Sequence, residues 1–527
     1  MSQFRVLIAD KCSELGTDVL KKAGVPFDVK TGLNEEQICS IIGEYDAMVV
    51  RSDTQVTKKI FENATRLRIV ARAGVGVDNI NLSEATARGV IVVNSPQGNT
   101  VAAAEHTWAM TLALAKPKTL LVGKTLGVLG FGNIGQTVAS YAKGMGMRIL
   151  AYDPFVKPEA VASTGAVLQD MDSVLKNSDV ITLHLPVTKD TRKLLNKQRF
   201  AMMRKGALLV NVSRGEVIDT AALLEALNSG QLAGAALDVF EKEPLKADDP
   251  LRTAKNVVLT PHLGASTDEA QVKVAVDVCH QIVDVLSGRP ARTAVNIPSM
   301  QPSLIEPVQK YITLAERLGL IVGQLAKSLI TKIEVEFSGD AFEKVNVTPL
   351  TTTMMKGLLT PLVGSGKVNF VNADLQMKQR GIGVEVAITE SRNYKSLLTL
   401  RAIGANNEDI EISGTVFEGL GDRVVMFNGF KMNAIPEGHM LFLLYRDQLG
   451  VVGKIGTFLG SRNINIASME VSRLVRGGSA MMVLQVDNAV SDNAIDELLA
   501  NFKGLLSAAW TLYLPNASRM QRQKAKL

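Results

Sequence analysis

Leu126-Gly127-Val128-Leu129-Gly130-Phe131-Gly132-Asn133-Ile134-Gly135 is the stretch on which the reading of the fold turns. A short apolar run reads as a buried strand, Gly-x-Gly-x-x-Gly follows it, and Gln136 to Lys143 continues with helical periodicity. Glycines at Gly130, Gly132 and Gly135 permit a tight turn and close backbone approach, and the N-terminus of the following helix offers free N–H groups to a phosphate. Asp153 closes the next strand about 20 residues on, where a carboxylate can accept hydrogen bonds from ribose hydroxyls. The pattern is a dinucleotide fingerprint. Because a carboxylate at that place repels a 2′-phosphate, Asp153 favours NAD over NADP.

Outward from this turn the same rhythm appears twice. From Phe4 to Val93, β-branched runs (Val6 to Ala9, Ala47 to Val50, Ile69 to Ala71, Ile91 to Val93) alternate with helix-like stretches such as Cys12 to Lys22. Gly123 to Pro261 repeats it, so two Rossmann-like or flavodoxin-like parallel-sheet α/β domains are expected in tandem. Thr267 to Leu286 reads as a helix that can pack back on the first unit. Beyond Asn296-Ile297-Pro298 the texture changes: Ile333 to Phe337 alternates with period two, and Val384 to Ile388 and Ile410 to Val416 read as antiparallel strands of an α+β domain. His439 to Pro515 reads as a ferredoxin-like βαββαβ unit.

Composition narrows the class. The 527 residues are 46% hydrophobic and 21% charged, with no apolar run near the length of a membrane span. Lys and Arg number 58 against 52 Asp and Glu, and Arg519, Arg522, Lys524 and Lys526 in the last residues supply much of that excess. A nucleic-acid face is therefore not expected. Cys12, Cys39 and Cys279 are too few and scattered for a disulfide framework or a zinc cluster, so reduced thiols, no metal and a cytoplasmic protein without a leader are expected.

Of the five histidines, His106, His280 and His439 read as structural or solvated, and His184 more as packing than as the edge of a cofactor cleft. His262 differs: it follows Val257 to Pro261 at the carboxyl end of a parallel strand, where α/β folds place their ligands, and precedes Gly264-Ala265-Ser266. Two other strand ends carry charge to the same region, Asn211-Val212-Ser213-Arg214-Gly215 and Asp238-Val239-Phe240-Glu241-Lys242-Glu243. An arginine, an acid and a histidine at three strand termini form a candidate site.

These motifs, with Val50-Arg51-Ser52, Ala71 to Asn79 and Pro261 to Thr267, resemble the D-isomer-specific 2-hydroxyacid dehydrogenase family over nearly the whole chain. Residues Arg446 to Ile455 and Asn463 to Ile466 resemble an ACT domain, a small amino-acid-sensing fold, with Leu449 where that family usually has proline. The resemblance implies a substrate-binding domain from 1–98 plus 265–298, clasping an NAD-binding domain from 99–264. An intervening domain (301–437), an ACT domain (438–515) and a basic tail (516–527) complete the expected division. It further implies that Asn133, Ile134, Asp153, Val212, Ser213, Arg214 and Asp238 contact NAD beside the three glycines, with His262, Gly264 and Ala265 at the nicotinamide end. Arg214 grips the substrate carboxylate, His262 exchanges a proton with the substrate oxygen, and Glu243 pairs with His262. Arg51, Ser52, Arg72, Gly74, Val75 and Gly76 line the substrate side.

Among the family, the long ACT-bearing members are the nearest match. They imply NAD-dependent oxidation of a small phosphorylated 2-hydroxy acid, 3-phosphoglycerate, at the start of L-serine synthesis. They also imply a homodimer or homotetramer and an L-serine effector near Asn463 and Asn465. Another D-2-hydroxyacid dehydrogenase of the glycerate or glyoxylate type, or a nucleotide-sensing corepressor-like scaffold, stays open. One departure stands out: between Leu114 and Lys124 the chain lacks the roughly twenty-residue basic arm usual in the family, leaving Lys116, Lys118 and Lys124 as candidate substitutes.

Overall fold

The computed structural model describes residues 3–515 apart from 116–118, 162–163, 298–301, 365, 391–393 and 407. Lys116, Lys118 and the basic tail thus lie outside the described residues. The first sheet contains β1 (Val6–Ile8), β2 (Phe27–Val29), β3 (Ala47–Val50), β4 (Ile69–Arg72) and β5 (Ile91–Val93), all parallel in the order β2-β1-β3-β4-β5. That is the flavodoxin-like order. Its inner strands are continuous apolar runs because helices cover both faces of the sheet.

The second sheet contains β6 (Thr125–Leu129), β7 (Arg148–Tyr152), β8 (Val167–Leu168), β9 (Val180–Leu183), β10 (Ala207–Asn211), β11 (Leu232–Leu237) and β12 (Val257–Leu259). All are parallel, in the order β12-β11-β10-β9-β6-β7-β8. Strand order reverses between β6 and β9, the switch point at which open α/β sheets bind ligands outside their carboxyl ends. The glycine turn follows β6, and the loops carrying Arg214, Glu243 and His262 follow β10, β11 and β12 on the same side.

Two helices join the sheets. Thr100–Ala115, rich in alanine, runs against β10, β11 and β12, and its Trp108 Nε1 donates to Val138 O at 3.1 Å. Asp268–Leu286 starts at Thr267, whose Oγ1 accepts from Ala270 N, and Asp268 and Glu269 in its first turn suit the helix dipole. This helix returns to the first domain and packs on the helix Glu14–Lys22 and on β4. The approach is so close that a Cβ on Gly16 would lie 2.9 Å from Ala275 Cβ.

The third sheet holds β13 (Ile330–Ser338), β14 (Gly383–Thr389), β15 (Leu397–Gly404), β16 (Asp409–Phe417), β17 (Gly421–Phe427) and β18 (Phe430–Ala434), in the order β14-β13-β15-β16-β17-β18. One expectation is corrected here: β14, the run Val384 to Ile388, pairs parallel with β13 and lies at the sheet edge. The helices Thr348–Val363 and Ala373–Gln379 between the two strands form the crossover a parallel pair requires. Ile312–Leu325 and Thr348–Val363 touch backbone to backbone, since a Cβ on Gly319 would lie 2.2 Å from Met354 O.

The last sheet, β19 (Gly438–Arg446), β20 (Ile466–Arg473), β21 (Ser479–Val486) and β22 (Leu506–Leu514), is antiparallel in the order β20-β21-β19-β22, the ferredoxin-like arrangement. Leu441, Leu443 and Tyr445 face the helices Val451–Gly460 and Asp492–Asn501. Alternate residues Met440 and Phe442 enter the core of the preceding domain, where the Phe442 and Phe427 rings meet at 5.2 Å. This C-terminal half docks on the first domain: Asn369 Nδ2 donates to Gly89 O at 2.8 Å and Val371 joins that domain's core. Among the described residues no helix is long and apolar enough to cross a membrane.

Candidate active site

A cavity of about 1440 Å³ opens between the two parallel sheets. From the second domain Gly132, Asn133, Ile134, Gly135, Val212, Ser213, Arg214, Asp238, Glu243, His262, Gly264 and Ala265 line it. Arg51, Ser52, Arg72, Gly74, Val75 and Gly76 face them from the first. Residues named from distant stretches of sequence thus share one cleft. Gly130, inside the glycine turn, and Asp153, bonded to it, are not on this wall, and Asn463 and Asn465 lie in the connection between the helix Val451–Gly460 and β20.

The three glycines have three separate physical reasons. Gly130 adopts φ +92°, and a Cβ there would lie 2.3 Å from His184 O. Gly135 packs helix on strand, since its Cβ would come within 2.2 Å of Gly130 O. Gly132 has open space where its Cβ would point and precedes the helix Asn133–Gly144, so a pyrophosphate can approach those N–H groups. Asp153 Oδ2 accepts from Phe131 N at 2.8 Å and Oδ1 from Phe155 N at 2.9 Å, which fixes the turn and leaves lone pairs for a ribose diol. These features fit a dinucleotide.

His262 Nδ1 lies 2.6 Å from Glu243 Oε2, while Glu243 Oε1 accepts from Phe240 N at 3.0 Å. The carboxylate therefore orients the imidazole and leaves Nε2 for the cavity. Partial burial pushes the Glu243 carboxyl up, but the hydrogen bond to His262, that ring's charge, the Phe240 N–H and Arg214 outweigh it and hold the carboxyl below its usual range. His262 itself sits at φ +57°. Asp238, fully buried beneath the loop, imposes that bend: it accepts from Leu263 N at 2.7 Å, Gly264 N at 2.8 Å and Thr260 Oγ1 at 2.5 Å. Its carboxylate is thus committed to the protein.

The Arg214 loop is built by the buried Asn211, whose Oδ1 accepts from Ser213 N and Oγ and whose Nδ2 donates to Arg214 O. Arg214 reaches across the cleft: Nε and Nη2 lie 2.8 and 2.7 Å from Asp78 Oδ2, and Nη1 donates to Ser213 O at 2.7 Å. Facing it, Arg72 Nε donates to Asn79 Oδ1 at 3.2 Å, and Asn79 Nδ2 donates to Arg51 O and Thr54 O, each at 2.7 Å. Burial, with Arg214 nearby, pushes the Arg72 guanidinium down to about 10. The Arg51, Arg72 and Arg214 guanidiniums, gathered on one cavity, suit it to an anion of more than one charge.

Comparison with known proteins agrees with this geometry. The family described as D-isomer specific 2-hydroxyacid dehydrogenase, NAD binding domain, matches residues 90–264. The D-3-phosphoglycerate dehydrogenase intervening domain matches 307–428 and the ACT domain 439–502. A D-3-phosphoglycerate dehydrogenase of Synechocystis sp. is 45% identical over 94% of this chain and 92% of its own length, and one of Archaeoglobus fulgidus is 40% identical over 96% and 99%. The chain belongs to the D-3-phosphoglycerate dehydrogenase family. A member of that family is an NAD-dependent oxidoreductase with a regulatory ACT domain, and the resemblance drawn from the motifs holds. Among solved structures, the TT0316 protein of Thermus thermophilus is 32% identical with a TM-score of 0.52, covering 55% of this chain and 100% of its own. A glyoxylate reductase from Paecilomyes thermophila superposes at 0.51 with 26% identity, over 56% of this chain and 99% of its own.

Two residues of the site were not singled out by the sequence reading. Asp78 and Asn79 sit within the quoted Ala71 to Asn79 stretch, yet nothing local singles them out. His106, read as structural or solvated, places Nε2 3.1 Å from both Asp238 Oδ1 and Thr260 Oγ1, beneath the loop that carries His262. A histidine among helical alanines gives no sign in the sequence of partners 132 and 154 residues away. His184 lines the cavity, with Nε2 3.0 Å from Thr182 Oγ1 and Nδ1 enclosed without a hydrogen-bond partner among the described residues.

Proposed function

We propose that this chain oxidises 3-phospho-D-glycerate to 3-phosphohydroxypyruvate with NAD, the step that opens L-serine synthesis. One observation carries the assignment of roles: the Glu243–His262 pair and the Arg214 guanidinium line the same cleft as the open side of the glycine turn. Gly132 to Gly135 would hold the pyrophosphate, Asp153 the adenosine ribose, and Val212, Ser213, Gly264 and Ala265 the nicotinamide. When bound, NAD supplies the acceptor for the hydride that leaves C2 of the substrate.

The protein's own groups do the rest. Arg214 holds the substrate carboxylate in its planar fork. His262 Nε2 takes the hydroxyl proton as the carbonyl forms, and Glu243 stabilises the imidazolium that results. Arg51 and Arg72, with the 74–76 backbone, face the phosphate end. Asp238 contributes by bending the loop at His262 and Gly264. The 1–98 plus 265–298, 99–264, 301–437 and 438–515 segments act as substrate, nucleotide, intervening and ACT domains. We infer further that L-serine binds the ACT domain near Asn463 and Asn465 and that the enzyme works as a homodimer or homotetramer.

An NADH absorbance assay with 3-phosphoglycerate, D-glycerate and plain 2-hydroxy acids tests the activity. Turnover of the phosphorylated acid well above the others is expected, and equal or greater turnover of an unphosphorylated acid would overturn the substrate. A calorimetric titration with L-serine that shows no heat would remove the effector.

A further inference from the structure

Two thiols that the chemistry above does not use lie on elements that meet. Cys12 stands just ahead of Ser13, which caps the helix Glu14–Lys22, and Cys279 lies in the helix Asp268–Leu286. These helices touch where Gly16 meets Ala275; Cys12 is four residues before the one and Cys279 four after the other, the register of an antiparallel pair. The Cys12 side chain packs on the core that encloses Cys279, and the two thiols hydrogen-bond to each other. Cys279 is fully buried and Cys12 partly exposed, so a small solute meets Cys12 first. The bond from Cys279, then the Arg51 charge and the Ser13 backbone, hold the Cys12 thiol below its usual range against the effect of burial, while that bond and burial push Cys279 up. The residues before Cys12 build the substrate wall. Buried Asp10 accepts from Arg51 N at 2.5 Å, Thr54 N at 3.2 Å and Thr54 Oγ1 at 2.5 Å, and Lys11 O accepts from Arg51 Nη1 at 3.4 Å.

We propose that Cys12 and Cys279 are an oxidisable dithiol, closed by a hydroperoxide to a disulfide that loosens Arg51 and weakens binding of the phosphorylated acid. The Cys12 thiolate attacks one peroxide oxygen, the O–O bond breaks, and the hydroxide that leaves takes up a proton to give water. Cys279 then gives up its proton as its sulfur bonds to the sulfenic sulfur of Cys12, whose S–O bond breaks to release a second water. Two thiols lose two electrons and the peroxide gains them. A disulfide is much shorter than a contact between thiols, so closure draws Cys12 toward the helix Asp268–Leu286 and the adjoining Lys11 carbonyl with it. The long bond from Arg51 Nη1 to that carbonyl is the first to part. The effect on substrate rests on the reading that Arg51 faces the phosphate end; the disulfide does not.

Peptide mapping by mass spectrometry without reductant, after hydrogen peroxide treatment of the reduced full-length enzyme, tests the link, and NADH absorbance kinetics test its effect. The peptides holding Cys12 and Cys279 should be joined, two hydrogens lighter than the pair, and dithiothreitol should part them. KM for 3-phosphoglycerate should rise about threefold, the equivalent of one exposed ion pair, and return with dithiothreitol. Cys12→Ser and Cys279→Ala should keep the KM of the reduced enzyme after peroxide, and Cys39→Ser should respond as wild type does. Thiols that stay free, or a Cys12 that ends as sulfinic acid without a link to Cys279, overturn the proposal. So does a disulfide that leaves KM unaltered while Arg51→Gln raises it. An unchanged KM in Arg51→Gln shows that the placing of Arg51 at the phosphate end is wrong and removes the effect on substrate, whereas the peptide map tests the disulfide whatever the enzyme turns over.

Discussion

His262 acts through two neighbours on different faces, Glu243 at Nδ1 and the buried Asp238 under its backbone. On the proposed roles, replacing it with alanine removes the proton acceptor and keeps the glycine turn and Asp153 for the rest of the nucleotide. Turnover should fall at least about 10²-fold with little change in NADH affinity, measured by fluorescence titration; near-normal turnover would refute the role. His184 gives a pH prediction. Burial depresses it from 6.5 to about 3, so between those values the unfolded chain binds a proton that the folded chain refuses. Stability therefore rises with pH through this window and is unaffected by the group above it. Glu243, also depressed, stabilises above its ordinary value of 4.5 and loses that contribution as pH falls below it. Denaturant unfolding of His184→Gln between about pH 6.5 and 4.5 should thus show a slope smaller than wild type by up to about 1.4 kcal/mol per pH unit; an identical slope would contradict the burial of this ring. Residues defined by a strand end, such as Arg214 and His262, were legible in the sequence because parallel-sheet topology puts strand ends together. Asp78 was not, because its partner Arg214 lies 136 residues away and no short-range spacing reports it.

At the scale of elements, the loops after β10 and β11 touch through Gly215, where a Cβ would lie 1.9 Å from the Phe240 carbonyl carbon. Gly215→Ala must separate the Arg214 loop from the loop that carries Glu243. A loss of about 1–3 kcal/mol in thermal unfolding is expected, with a parallel fall in kcat/KM; an unchanged Tm would show that the loops are free to part. Strand and helix identity was readable wherever periodicity was strong, as in β6 and in the helix Asp268–Leu286. Direction was not: Val384 to Ile388 alternates as an antiparallel strand does, yet it runs parallel, because direction is decided by the intervening helices and not by the strand's own residues.

For the whole molecule, the ferredoxin-like sheet shares a core with the domain before it. Phe442→Ala, on the shared face, is expected to cost about 3–5 kcal/mol and to weaken both C-terminal domains together. Hydrogen exchange followed by mass spectrometry should show β16 and β17 deprotected along with β19, and protection retained in the intervening domain would mean the two fold independently. The fold classes along the chain could be read from the sequence, because each class has its own hydrophobic rhythm. Their mutual docking could not, since Asn369 and Val371 lie in an ordinary loop.

The nucleotide-binding lobe is inserted into the chain between two crossings, near residue 99 and near residue 265, while the C-terminal half grips the outer lobe through Asn369 and Val371. The inserted lobe is therefore built like a cartridge. A cognate lobe taken from a relative with different coenzyme preference could be exchanged at those two splice points, leaving the C-terminal half and its grip on the frame as they were.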